Sequence, residues 1–189
     1  MAKRPQDRHR RWRRGVLIAV KDLMLSTDIS ELQTDCEIVW AKVNIVGTKS
    51  LLLCSNYHQR DEHSLLQFQE SIIRATSIND SIILIAVDFK LPGWDRKSKI
   101  LKAGTAHARL HYQFSDCLDD NGLIQIVENT RRNNNTLDLV ITNLSSNVQQ
   151  VTTQMPGISD HYIVFVELDL SPNIHIKTPR KTPLYKKAR

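Results

Sequence analysis

The chain has 189 residues, of which 41% are hydrophobic and 24% charged, the balance of one globular domain and not of a disordered chain. Its formal net charge of +6 is unevenly spread: residues 1–14 carry seven Lys/Arg against one acid and residues 171–189 carry six against none, which leaves 13 basic and 19 acidic residues in 15–170. An acidic body between basic ends argues against a basic DNA-coating domain and raises the question of what the carboxylates do.

In chain order, residues 1–14 read as a basic tail, and Gly15–Val20 (GVLIAV) as the first strand. Further strands are expected at Cys36–Val43, Ser50–Ser55, Ser81–Asp88, Leu137–Asn143 and Tyr162–Leu168, with a weaker one at Val148–Thr153. Between them, His63–Thr76 carries Leu65, Leu66, Phe68, Ile72 and Ile73 at roughly helical spacing. Ala106–Asn121 places Leu110, Phe114, Cys117 and Leu118 on one helical face and stops at Asn121-Gly122. Mixed strands and helices, with strands apolar on both faces, indicate a layered α/β domain over 15–170. The Pro- and Lys-rich segment 171–189 reads as a basic linker.

No apolar run approaches the roughly 18 residues that span a bilayer; the longest are 15–20 and 81–87, so no membrane association is expected. The start is too rich in arginine for a secretory signal. Cys36, Cys54 and Cys117 are odd in number, scattered and without a CxxC pair. They fit reduced thiols in the nucleus or cytoplasm better than a disulfide framework or a structural zinc site.

Three polar clusters fall at the ends of expected strands. Asp88 closes SIILIAVD; it either sits at a buried strand's mouth or caps the turn through Leu91-Pro92-Gly93. Asp138 lies among Leu137, Leu139, Val140 and Ile141. It either pairs with a histidine, whose tautomer a carboxylate fixes, or faces solvent by simple alternation. Ser159-Asp160-His161 enters the last strand; Asp160 is a hard oxygen ligand of the kind magnesium prefers and His161 titrates near neutrality. The alternative there is a turn aspartate and an exposed histidine. Tyr57 could present its phenol to the same cleft or pack. Arg131 could touch phosphate or be solvated loop charge. His107 and His111, at i and i+4, have no adjacent glutamate to complete a zinc motif, and His58 and His63 read as loop residues.

GVLIAVK (15–21), EIVWAKV (37–43), LLLCSNY (51–57), IILIAVDFKLPGWD (82–95), DDNGLIQIVENTRRNNNTLDLVITN (119–143) and ISDHYIVFVEL (158–168) occur in this order. The set closely resembles the endonuclease domain of LINE-type (non-LTR) retrotransposons, a member of the endonuclease/exonuclease/phosphatase superfamily related to apurinic/apyrimidinic endonucleases. The similarity runs over about residues 15–187, and PRKTPLYKKA resembles the segment leading from that domain towards a reverse transcriptase. It implies a four-layer α/β sandwich of two packed sheets, and hydrolysis of phosphodiesters with Mg2+ or Mn2+ that nicks DNA to prime reverse transcription. The implied partners are DNA and, within a retrotransposon particle, RNA. His161 would be the base or electrostatic partner at the scissile phosphate, oriented by Asp138. Asp160 would hold the metal, Asp88 would position or activate water, and Tyr57 would hydrogen-bond the phosphate. Lys90, Asn143 and Arg131 are the expected substrate-binding residues.

The chain departs from that pattern in two places. Where the family reads Gly-Asp-Phe-Asn, this chain reads Val87-Asp88-Phe89-Lys90, so strain is expected at Val87 and an ion pair between Lys90 and Asp88. The family's domain also begins earlier, with a strand carrying an Asn and then a metal-ligating Glu, a role not transferable to Glu31 or Glu37. The expected domain is therefore incomplete at its N-terminus, with an exposed edge or a thinly filled core in one sheet. A catalytically inactive retrotransposon-derived remnant that still binds nucleic acid is the alternative function.

Overall fold

A computed structural model describes residues 15–95, 100–128, 136–155, 157 and 161–170. Ten strands, two α-helices and two single-turn 3-10 helices are assigned among them. In chain order the strands and α-helices are β1 (Leu25–Asp28), β2 (Glu37–Asn44), β3 (Ser50–Tyr57), α1 (Glu62–Thr76), β4 (Ser81–Asp88), β5 (Trp94–Asp95) and β6 (Ile100–Leu101). Then follow α2 (Ala108–Asp120), β7 (Ile124–Gln125), β8 (Asp138–Thr142), β9 (Val148–Gln154) and β10 (Ile163–Leu168). Six strands form one mixed sheet in the order β1-β2-β3-β4-β8-β7, while β9-β10 and β5-β6 are separate two-stranded pairs.

Period-2 alternation explains how the central sheet separates its faces. One face turns Ile38 and Trp40 of β2, Leu52 and Cys54 of β3, Ile83, Ile85 and Val87 of β4, and Leu139 and Ile141 of β8 towards both helices. Against it α1 buries Leu65, Phe68, Ile72 and Ala75, leaving Leu66 and Ile73 half exposed. Asp61 caps α1, its carboxylate accepting from the Ser64 amide at 2.7 Å, which satisfies one of the free amides of the first turn. The expected apolar face of α2 (Leu110, Phe114, Cys117, Leu118) is buried as a set. Parallel β3 and β4 need a crossover, and α1 provides it. A buried polar relay pins the layers together. The Trp40 indole donates to Ser71 Oγ at 2.7 Å, and that hydroxyl donates to the Leu32 carbonyl at 2.6 Å.

The other face of the sheet is thinly covered. Val43, Leu51 and Ile82 bury at one end of it, with Val20, Leu84, Leu144 and Leu170 packed around them, whereas Ala86 near the other end is exposed. Val164 of β10 and residues Gly15–Leu17 stand over that end and leave a cleft of about 410 Å³. On the outer side of the hairpin, Ile163 and Phe165 remain about half exposed.

Most strand expectations hold, with shifts of one or two residues, and Val148–Gln154 is a full strand. Gly15–Val20 is not a strand. Its residues alternate between exposed and half-buried, as an extended segment does, but no ladder partner lies beside it among the described residues. The strain expected at Val87 is also misplaced. Val87 is regular β4, buried and paired with both Asn56 and Leu139. The left-handed residue of this loop is Lys90, at φ +50°. The proposed tail 1–14 and linker 171–189 lie outside the described residues.

Candidate active site

The cleft is closed at one end by a row of side chains fixed by strand register. Glu37 pairs with Tyr57, Tyr57 with Asp88, and Asp88 with Asp138. Registered partners share a face, so four adjacent strands present Glu37, Tyr57, Asp88 and Asp138 side by side. His161, just before β10, completes the group from the opposite layer. Its Nδ1 lies 2.9 Å from Asp138 Oδ1 and its Nε2 lies 3.9 Å from Asp88 Oδ2. A carboxylate only accepts, so Nδ1 donates to Asp138 and Nε2 is turned towards Asp88. The sequence left open whether Asp138 faced solvent; its side chain is instead one fifth exposed and bonded to histidine.

Lys90 supplies the cation. Its Nζ is 3.1 Å from Asp88 Oδ2, with only 15% of the lysine and 17% of the aspartate side chain exposed. The same ammonium lies 4.7 Å from the Tyr57 ring centroid, over its face. The other carboxylate oxygen, Asp88 Oδ1, is buried without a hydrogen-bond partner. Asp88 is therefore no turn cap. Its backbone instead ties two strand ends together, since His58 N–H donates to the Asp88 carbonyl at 3.1 Å and Phe89 N–H to the Leu137 carbonyl at 2.8 Å.

His58 is a loop residue, as the sequence suggested, lying between β3 and α1, but it is not a solvated one. It is fully buried directly beneath the row, stacked on Phe89 at 4.9 Å, and Phe89 stacks in turn on Phe114 at 3.9 Å. Its Nδ1 lies 3.1 Å from the Phe89 carbonyl. Burial pushes the imidazole below its ordinary pKa, partly offset by that carbonyl. The sequence signal was its place one residue beyond Tyr57, where the core continues past the strand end. His111 is likewise buried, its Nε2 at 3.1 Å from the Pro92 carbonyl, and it braces the loop that follows Asp88.

The structure thus gathers Tyr57, Asp88, Lys90, Asp138 and His161. It does not bring in Asn143. β8 runs antiparallel to β4, so Asn143 lies at the far end of β4, about 17 Å along the strand from Asp138. There its side chain accepts from the Ile83 amide at 2.9 Å and donates to the Ser81 carbonyl at 3.0 Å. The reason is direction: five residues of strand carry a side chain from one sheet edge to the other. Arg131 and Asp160 lie outside the described residues.

Asp88, Asp138 and His161 offer three ligand atoms within 4.8 Å of one another, the metal-capable group found among the described residues. Two carboxylates and an imidazole suit a divalent cation. Among the described residues no helix is long and apolar enough to cross a membrane.

The mixed sheet, with helices on one face and a strand pair over the other and an Asp/His group where strand ends meet between them, has the fold of a solved endonuclease domain. The endonuclease domain of TRAS1, a telomere-specific non-LTR retrotransposon, shares that fold with a TM-score of 0.61 at 14% identity, over 79% of this chain and 71% of that one. An endonuclease/exonuclease/phosphatase family protein from Leptotrichia buccalis aligns with a TM-score of 0.48 at 13% identity, over 78% of this chain and 60% of that one. A humanized D. rerio TDP2 aligns at 0.37 and 16%, over 76% and 63%. No family model matches the sequence, and no curated protein matches it.

Proposed function

We propose that the chain hydrolyses phosphodiester bonds in DNA, nicking one strand as an endonuclease, with Asp88, Asp138, His161, Lys90 and Tyr57 as its working groups. The carrying observation is the constellation itself: a histidine oriented by Asp138 at 2.9 Å, with its second nitrogen aimed at a second carboxylate, beside an ammonium and a phenol at the mouth of one cleft. The retrotransposon endonuclease fold supports a nucleic-acid substrate.

Phosphoryl transfer needs a positioned nucleophile and neutralisation of charge that grows on the phosphoryl oxygens. In this reading Asp88 Oδ2 accepts the hydrogen bond of the attacking water and fixes its direction. His161, held by Asp138 through Nδ1–H, takes the water's proton at Nε2 and stabilises the charged phosphoryl group as an imidazolium, while the P–O bond to the ester oxygen opposite the water breaks and that oxygen leaves with a proton from solvent. Lys90 Nζ transfers its attraction from Asp88 to a phosphate oxygen, and the Tyr57 hydroxyl donates to another. Asp88 and Asp138, with Asp160, would hold a Mg2+ or Mn2+ ion, which supplies Lewis-acid charge to the phosphate and lowers the pKa of bound water.

The test is nicking of supercoiled plasmid with Mg2+ by the native chain and by His161→Ala. Cleavage by the native chain, lost in the variant, is expected. No cleavage by either, or equal cleavage by both, overturns the assignment. The ion pair that already engages Asp88 favours the second reading, an inactive nucleic-acid-binding remnant. That reading predicts no nicking but DNA binding that weakens steeply with salt through the basic ends.

A further inference from the structure

Lys90 is placed with more constraint than a solvated charge requires. A left-handed backbone is unfavourable for a residue with a Cβ, yet Lys90 adopts φ +50°. That turn folds its side chain back over Tyr57 and onto Asp88 Oδ2, where the ammonium is mostly shielded. The carboxylate's two oxygens are then unequal. Oδ1 points into the interior without a partner, and Oδ2, which faces His161 across the cleft, carries Lys90. The oxygen most accessible for sharing with a cation is the one that already has a cation.

We infer that the Lys90 ammonium is the tethered countercation of this centre and sets its metal dependence: it occupies the cleft-facing oxygen of Asp88, so that a divalent ion binds there only weakly until Lys90 is removed or drawn off. Charge counting gives the direction. Asp88 and Asp138 with Lys90 sum to −1 and without Lys90 to −2, a difference that the charge on His161 does not alter. A dication bound between the two carboxylates lies within a few ångströms of Nζ, where like charges in a partly desolvated cleft repel strongly. Divalent-ion sites tune their affinity through the number of ligand charges and the rigidity that holds them, and Lys90 lowers the first while competing for a ligand atom. Its position also suits it to leave Asp88 for a phosphate oxygen, so that substrate anion and divalent ion would enter together. The inference rests on the nuclease reading only for the identity of that anion.

The experiment is a Mn2+ titration of the full chain, without DNA, followed by water-proton relaxation and by calorimetry. Lys90→Gly removes the ammonium and relieves the left-handed strain, so it retains the fold, checked by circular dichroism. Lys90→Arg keeps the charge. Lys90→Gly should bind one Mn2+ on the order of 10-fold or more tightly than the native chain, Lys90→Arg should not, and adding Asp88→Asn should erase the gain. Unchanged or weaker binding in Lys90→Gly, equal tightening in Lys90→Arg, or a gain that survives Asp88→Asn each overturns the inference. The readout is independent of nicking: a failed plasmid assay with a preserved Mn2+ gain removes the proposed function alone, and the converse removes only the role of Lys90.

Discussion

Asp138→Asn isolates what the carboxylate contributes through His161. The substitution keeps the shape of the side chain and leaves β8 paired with β4, but it removes the negative charge 2.9 Å from His161 Nδ1. Two effects follow. The charge-assisted hydrogen bond is replaced by a neutral one or by an amide that donates and so selects the wrong tautomer. The imidazolium that forms as water attacks loses its counterion. Hydrogen bonds to charged groups contribute about 1.5–3 kcal/mol, and the pair is only partly buried, with 36% of the histidine and 20% of the aspartate side chain exposed, which holds the effect to the lower part of that range. At about 1.4 kcal/mol per tenfold, nicking should fall roughly 10- to 40-fold. The assay is initial plasmid nicking by the native chain, Asp138→Asn, His161→Ala and the double variant, each checked for folding. If Asp138 acts through His161, the double variant is no slower than His161→Ala alone, because residues working as one unit are non-additive. Multiplied losses in the double variant would refute that coupling and make Asp138 an independent ligand or base. An unaffected rate in Asp138→Asn would refute the dyad itself.

Three further outcomes follow from buried groups. Ser71→Ala strands the Trp40 indole N–H and the Leu32 carbonyl in a dry interior; at about 1–3 kcal/mol for each unsatisfied group, urea unfolding should show a loss of about 2–4 kcal/mol, and a change below about 0.5 kcal/mol would show that water reaches the relay. Burial holds the His58 pKa below its unfolded value, so just below about pH 6.5 the unfolded chain binds more protons and stability falls as the pH drops towards the folded value. His58→Asn, whose amide nitrogen can donate to the Phe89 carbonyl from where Nδ1 stands, should flatten that part of the stability profile, and an unchanged slope would mean that His58 is not its source. Burial raises the thiol of Cys54 well above its ordinary pKa and that of Cys117 to about 11, which leaves on the order of one thiolate per thousand of Cys117 at about pH 8. A disulfide reagent should therefore label both only after denaturant is added, and rapid labelling of Cys117 in the native chain would contradict its burial.

What could be read from the sequence and what could not divide along sequence distance. β4 was legible because seven mostly apolar residues ending in Asp88 describe a strand buried on both faces without reference to any partner. α1 and α2 were legible because their buried residues recur at helical spacing. By contrast β1, β5, β6 and β7 are only two to four residues long, and such short strands exist through pairing that no local pattern encodes. Gly15–Val20 fails in the opposite direction: its composition is that of a strand, but a strand is a property of a ladder, and none of the described residues provides one.

The site divides in the same way. That Asp88 and Asp138 both end apolar runs is local information. That they are partners in adjacent antiparallel strands follows only from register, and the same register carries Asn143 to the opposite edge. Strain was legible as a quantity but not as a position. The sequence put an unusual residue at Val87, and the loop places its left-handed turn three residues later, at Lys90. Relocating it changes the chemistry, because strain at Val87 would only have weakened a strand, whereas a left-handed Lys90 brings a positive charge back onto the carboxylate that the apolar run had delivered. The acidic body of the chain is thus not uniformly acidic where it matters: the cleft pairs its two aspartates with one cation from the loop and one titratable ring from the opposite layer. A phosphodiester entering that cleft would compete with Asp88 for Lys90, and the strength of that competition, more than the count of carboxylates, decides whether anion or metal is held.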